Sequence, residues 1–158
     1  MKILSALPLL LCAASPAAAQ VSGKPIMVSG SCDSTTGVTI DDGSPIQFAC
    51  NMAVIARTDR GTVLIQFADK KGGDGRILGF AGTIEGKQAF GAERVQIMAV
   101  ERFYLAAGAT PIPAARGTCF MNWTGLQRTG GRLTSVICGG RGEADGSDII
   151  AKAMLKAR

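Results

Sequence analysis

Residues 46–57 read Ile46-Gln47-Phe48-Ala49-Cys50-Asn51-Met52-Ala53-Val54-Ile55-Ala56-Arg57. Ile46, Phe48, Cys50, Met52 and Val54 alternate with Gln47, Ala49, Asn51 and Ala53. Successive side chains of a strand point to opposite faces, so a period of two predicts a strand with one apolar face. Thr58-Asp59-Arg60-Gly61 comes next as a turn, and Val63, Ile65 and Phe67 share one side of the next run, Thr62 to Ala68. Two alternating runs around a Gly-bearing turn predict a β-hairpin.

Working outward, the same signal recurs. Lys24 to Ser29 and Gly37 to Ile40 are expected strands, the second closed by Asp41-Asp42-Gly43. Asp69 to Gly75 is a polar loop tip, Arg76 to Ile84 a strand, and Glu85-Gly86-Lys87 a turn. Thr110-Pro111-Ile112-Pro113 is an extended connector. Gly117 to Thr124 and Leu133 to Gly139 form a second expected hairpin, turning within Gln127 to Arg132. Residues 92–107 fit two patterns. Val95, Met98, Ala99, Phe103 and Ala106 make a helical face, yet Val95, Ile97, Ala99, Glu101, Phe103 and Leu105 alternate, and the strand is the preferred reading.

The C-terminus reads differently. Ser147 can cap a helix, and Asp148 suits its positive end. Ile149, Ile150, Ala153, Met154 and Ala157 make an apolar stripe, with Lys152, Lys156 and Arg158 outside it. The expected architecture is mainly β: a small antiparallel sandwich or barrel stapled by two disulfides, with a short C-terminal amphipathic helix.

The first residues have the anatomy of an export signal. Met1-Lys2 is positive, Ile3 to Ala14 is apolar, Pro16 breaks the run, and Ala17-Ala18-Ala19 precedes Gln20. The apolar run falls short of the ~20 residues that span a bilayer. The reading is a signal peptide at 1–19 and one disulfide-stabilised β-rich domain at 20–158, in the periplasm or outside a Gram-negative cell. No later segment is apolar and long enough to be transmembrane. Cys12 departs with the signal, leaving Cys32, Cys50, Cys119 and Cys138. Four cysteines in an exported chain read as two disulfides with three conceivable pairings. Cys32–Cys50 and Cys119–Cys138 are favoured, because each pair brackets a turn between two strands. Each loop, just under 20 residues, is worth about 3 kcal/mol in the chain-entropy account.

The formal charge of +5 falls to +4 when Lys2 leaves. That favours acidic partners and surfaces, although the cations are spread along the chain. One Trp and one Tyr leave little on which to stack bases, so nucleic acid is not an expected partner.

Catalytic chemistry is thinly represented. The chain has no His, which removes Ser-His-Asp and Cys-His catalysis and the commonest metal ligand. No CxxC, P-loop or EF-hand spacing occurs, and no cofactor or metal is expected. Asp69 and Asp74 are weak calcium candidates beside Lys70 and Lys71. Asp41-Asp42 reads as turn chemistry, and Gly139-Gly140-Arg141-Gly142 as a strand exit. A carboxylate hydrolase would need two facing acids drawn from Glu85, Glu93, Glu101 or Asp145. Trp123, near Arg128 and Arg132 in sequence, has hot-spot composition and is the candidate binding surface, against a plain core role for the indole. The leading expectation is a non-enzymatic binding module for a protein or envelope component, an inhibitor among the options. A structural accessory of the envelope comes second and the hydrolase third.

Overall fold

The structure, a computed structural model, describes residues 23–69, 76–125 and 131–158. The expected signal at 1–19, Lys70, Lys71, Asp74, Arg128 and most of the turn expected within Gln127 to Arg132 lie outside the described residues. The strands are β1 (Ile26–Cys32), β2 (Gly37–Ile40), β3 (Ile46–Gln47), β4 (Met52–Arg57), β5 (Val63–Ala68), β6 (Ile77–Phe90), β7 (Glu93–Tyr104), β8 (Ile112–Thr124), β9 (Arg132–Ala144) and β10 (Ser147–Ala157). All ten join one antiparallel sheet. Both expected disulfides, Cys32–Cys50 and Cys119–Cys138, are formed.

From β4 to β10 the chain meanders, each strand pairing with the next. β1 pairs with β4 on one edge, Ile26 to Ser29 against Ile55 to Met52. Its last residues, Gly30 to Cys32, also face Ala157 to Leu155 of β10. The hydrogen bonds divide by parity. The amides of Gly30 and Cys32 donate to Asn51 and Cys50, while Asp33 donates to the Met154 carbonyl and Arg158 to the Ser29 carbonyl. The two partners therefore sit on opposite edges of β1, and the ladder returns on itself through β1 and β4 to β10.

β1 and β2 are one strand interrupted by a bulge. From Cys32 to Gly37 the chain advances five positions while β10 retreats three, Leu155 to Lys152. The gap is closed by side chains. The Asp33 carboxylate accepts the Thr35 amide at 2.7 Å, and the Thr36 hydroxyl accepts the Met154 amide at 3.2 Å. Thr36 is the one buried polar side chain among the described residues, and this bond satisfies it. β3 and β4 are interrupted opposite this bulge, and Cys32–Cys50 ties the two interruptions together. Cys119 and Cys138 instead face one another directly in the β8–β9 register.

The interruption corrects the phase read from residues 46–57. Cys50 is buried, but within β4 the buried residues include Ala53 and Ile55, while Met52 and Val54 are half-buried. The irregular backbone at 48–51 shifts the parity by one, which exchanges the two faces. Ile46, beyond the interruption, is 60% exposed.

The C-terminal helix is also overturned: residues 147–157 are strand β10. Ile149, Ala151, Ala153 and Leu155 turn inward, and Ile150, Lys152, Met154 and Lys156 turn outward. Ser147 faces Ala144 across a two-residue turn, Asp145-Gly146, whose φ angles are 52° and 78°. Both positive values belong to the type I′ hairpin turn, which Asp-Gly favours. Glu85-Gly86-Lys87 is a bulge within β6, where the register shifts between Ile84 and Gly86, and the turn comes at Gly91. Residues 93–104 are strand, as the alternation implied.

The core fills the inside of this sheet. Phe67, Phe80 and Phe103 are fully buried, with ring centroids 6.0 and 6.4 Å apart. Val63, Ile65, Leu78, Met98, Met121, Val136 and Leu155 close around them. Burying each such side chain contributes roughly 1.5–3 kcal/mol. Among the described residues no helix is long and apolar enough to cross a membrane.

The seam between β1 and β10 can be probed at two positions. A Cβ on Gly30 would lie 2.2 Å from the Lys156 carbonyl oxygen and 2.9 Å from Leu155 Cδ2. Gly30→Ala is therefore expected to destabilise by about 2 kcal/mol or more, seen as a lower denaturation midpoint at unchanged m-value. Asp33 is held below the ordinary carboxylate range, first by the Thr35 backbone amide and then by the Thr35 hydroxyl. A depressed carboxyl stabilises the fold above its unfolded pKa and loses that contribution as the pH falls through the folded value. Asp33→Asn should flatten the acid limb of the stability profile below about pH 4, measured by denaturant titration across pH.

Candidate functional site

One end of the meander is built differently from the rest. β5 stops pairing with β6 at Val63 and Gly82, while β6 runs on to Phe90 beside β7. The β6–β7 hairpin thus projects past β5, with Phe90 at its tip 63% exposed.

Register places the side chains of this region in rows. Leu155, Val136, Met121, Gln96 and Lys87 face one another in succession across β10, β9, β8, β7 and β6. The first three are closed in the core, Gln96 is half-buried and Lys87 is exposed. One inward row therefore runs from hydrocarbon to charge. The next row is Ala89, Arg94 and Trp123, with Leu133 opposite Trp123 on β9.

These two rows frame a half-open cavity of ≈ 380 Å³. Lys87, Ala89, Arg94, Gln96, Trp123 and Gly131 line it. The size lies within the range of small-ligand sites. Among the described residues, two cations and no carboxylate belong to its lining. A guanidinium nitrogen of Arg94 (Nη2) donates to the Gly125 carbonyl, which fixes the head group beside Trp123. Trp123 packs against the core, yet its Nε1 is buried with no hydrogen-bond partner among the described residues. A buried donor left unpaired costs about 1–3 kcal/mol.

Trp123 lines this cavity. Arg132 begins β9, exposed and opposite Thr124, and does not line the cavity. The cations beside the indole are Arg94 and Lys87, supplied by the hairpin. Reading Glu85-Gly86-Lys87 as a turn had hidden them. The usable signal was Gly91 between two alternating runs.

The acids hold local structure. Asp41 accepts the Asp148 amide at 2.9 Å, and Asp148 in turn pairs with Arg141 at 2.7 Å. That carboxylate raises the Arg141 pKa, by hydrogen bond and by charge. Asp69 accepts from Asn51 Nδ2 at 2.6 Å, and Glu101 lies 3.7 Å from Arg102. Glu85, Glu93 and Asp145 are spread over β6, the start of β7 and the β9–β10 turn. Among the described residues no three His, Cys, Asp or Glu side chains cluster as a metal site. Gly139 to Gly142 lie inside β9, paired on both sides, and not at its exit.

A second surface is apolar. Ile97, Phe120, Ile137 and Met154 face one another across the outer side of β7 to β10. Phe120 and Met154 are each 40% exposed.

Compared with known proteins, the chain matches no family model, no curated protein and no solved structure.

Trp123→Phe removes the unpaired donor along with some packing. The two effects oppose, so the variant is expected to stay within about 1 kcal/mol of the parent. Chemical denaturation checks this; a loss of several kcal/mol would show that the indole N–H is satisfied after all.

Proposed function

We propose that this chain is an exported, non-enzymatic binding module that engages a protein or envelope component at the cavity beside Trp123. The observation that carries the reading is the inward row ending in Gln96 and Lys87. A face that is sealed hydrocarbon at Leu155, Val136 and Met121 becomes a charged, half-open cavity at its end. Nothing in core packing calls for that change of character, whereas recognition does.

The rest of the molecule supports the reading. We take the closed ladder as a barrel in preference to a sandwich, with the cavity at its mouth, a common place for ligands in such folds. Two disulfides and the N-terminal sequence fit the periplasm or the extracellular space. A chain without His, whose Asp33, Asp41, Asp69 and Asp148 serve turns and strand pairs, is better suited to binding than to hydrolysis. An inhibitor is one form such a module takes. The projecting β6–β7 hairpin, with Phe90 at its tip, is the element that would enter a partner's cleft.

The test is recovery of bound material from envelope extract by immobilised protein carrying both disulfides. The same defined species should be retained by the parent and by Lys152→Ala on the outer face. It should be lost from Trp123→Ala and from Lys87→Ala, each shown to be folded by circular dichroism. Equal retention by all four proteins would refute the assignment of the site.

A further inference from the structure

We propose that the cavity takes an oxyanion joined to an apolar body: a carboxylate or phosphate ester carried on a ring or short chain. This rests on the cavity being the binding site and names the chemistry it selects.

The charges of the lining decide the first half. Among the described residues, Lys87 and Arg94 are its two ionisable residues, both cationic. They stand on the same face, since Lys87 faces Gln96 and Ala89 faces Arg94 in the β6–β7 register. Diagonal neighbours of this kind lie about 7–8 Å apart at the backbone, within reach of one ligand group for side chains of this length. Arg94 is held in place through the Gly125 carbonyl, which leaves further guanidinium N–H groups for a ligand. Gln96 adds an amide donor. An oxyanion accepts from all of these, and charge-assisted bonds are the stronger kind. Among the described residues, a cationic ligand would meet two like charges and no counter-charge.

The apolar walls decide the second half. Ala89 and the Trp123 ring line the same space. An inorganic anion would leave them unused, whereas a ring or short chain covers them.

Trp123 is the single Trp of the chain, so the indole N–H gives one resonance that reports on this cavity alone. The experiment tracks that resonance by two-dimensional nitrogen–proton NMR of the disulfide-bonded protein at fixed ionic strength. Benzoate, phenyl phosphate and benzyl alcohol are the probes. Benzoate or phenyl phosphate should shift the resonance saturably, and the tighter of the two names the oxyanion. Benzyl alcohol should bind at least tenfold more weakly. The exposed Lys87→Gln should weaken the anion by about tenfold, equivalent to 1.4 kcal/mol, while Lys152→Gln should leave it unchanged. Equal binding of the neutral alcohol, or no saturable shift with either anion, overturns the proposal. Should the anions fail while Lys87→Ala still loses the envelope partner, the ligand class falls and the site stands. Anion binding in a protein that captures no envelope component upholds the ligand class and overturns the partner reading.

Discussion

The structure depends on the short seam where Gly30, Ser31 and Cys32 pair with Ala157, Lys156 and Leu155. Without it the meander from β4 to β10 would end in two open edges. Exposed edges carry unpaired amides and carbonyls and invite pairing with other chains. The seam joins the two ends of the described chain, so it is the pairing of largest sequence separation and the costliest in chain entropy to form. Its formation depends on glycine: the strands approach so closely that any side chain at position 30 would meet the Lys156 carbonyl. The adjoining bulge is held by Thr36 and Asp33 and stapled by Cys32–Cys50, so covalent and polar constraints both converge on the point of closure.

Closure in turn makes the candidate site a fixed one. Leu155 belongs both to the seam and to the inward row that ends at Lys87. The second disulfide, between Cys119 and Cys138, ties β8 to β9 beneath Trp123 and Met121. The cations at the rim therefore stand on paired strands whose inner ends are locked in the core, not on a free loop. Binding to such a rim costs little ordering entropy, which is the advantage of a preorganised site.

Much of this was legible in the sequence, and the misreadings have identifiable causes. The class of fold, the β4–β5 hairpin and both disulfide pairs came from alternation, turn residues and cysteine spacing. The C-terminal helix did not hold because Ile149, Ile150, Ala153 and Met154 satisfy a helical stripe, while the small inward residues Ala151 and Ala153 mute the period of two. Asp145-Gly146 was the deciding signal, since a two-residue Asp-Gly turn commits the run after it to a strand. The faces of residues 46–57 were exchanged because the strand interruption at 48–51 leaves no mark in hydropathy. Trp123 stood out as the single indole, but its partners depend on register between β6, β7 and β8. No local pattern encodes which residue of one strand faces which of the next when bulges intervene.

On the reading proposed above, this protein meets its partner at the mouth of the sheet at Trp123 and not at its outer apolar row. The test is site-specific photo-crosslinking in cells that produce the protein, with the photoreactive residue placed at Gln96 inside the cavity or at Ile137 on the outer face. A defined adduct is expected from position 96 and none from position 137. An adduct from position 137 alone would contradict it and would move the interface to the row of Ile97, Phe120 and Met154.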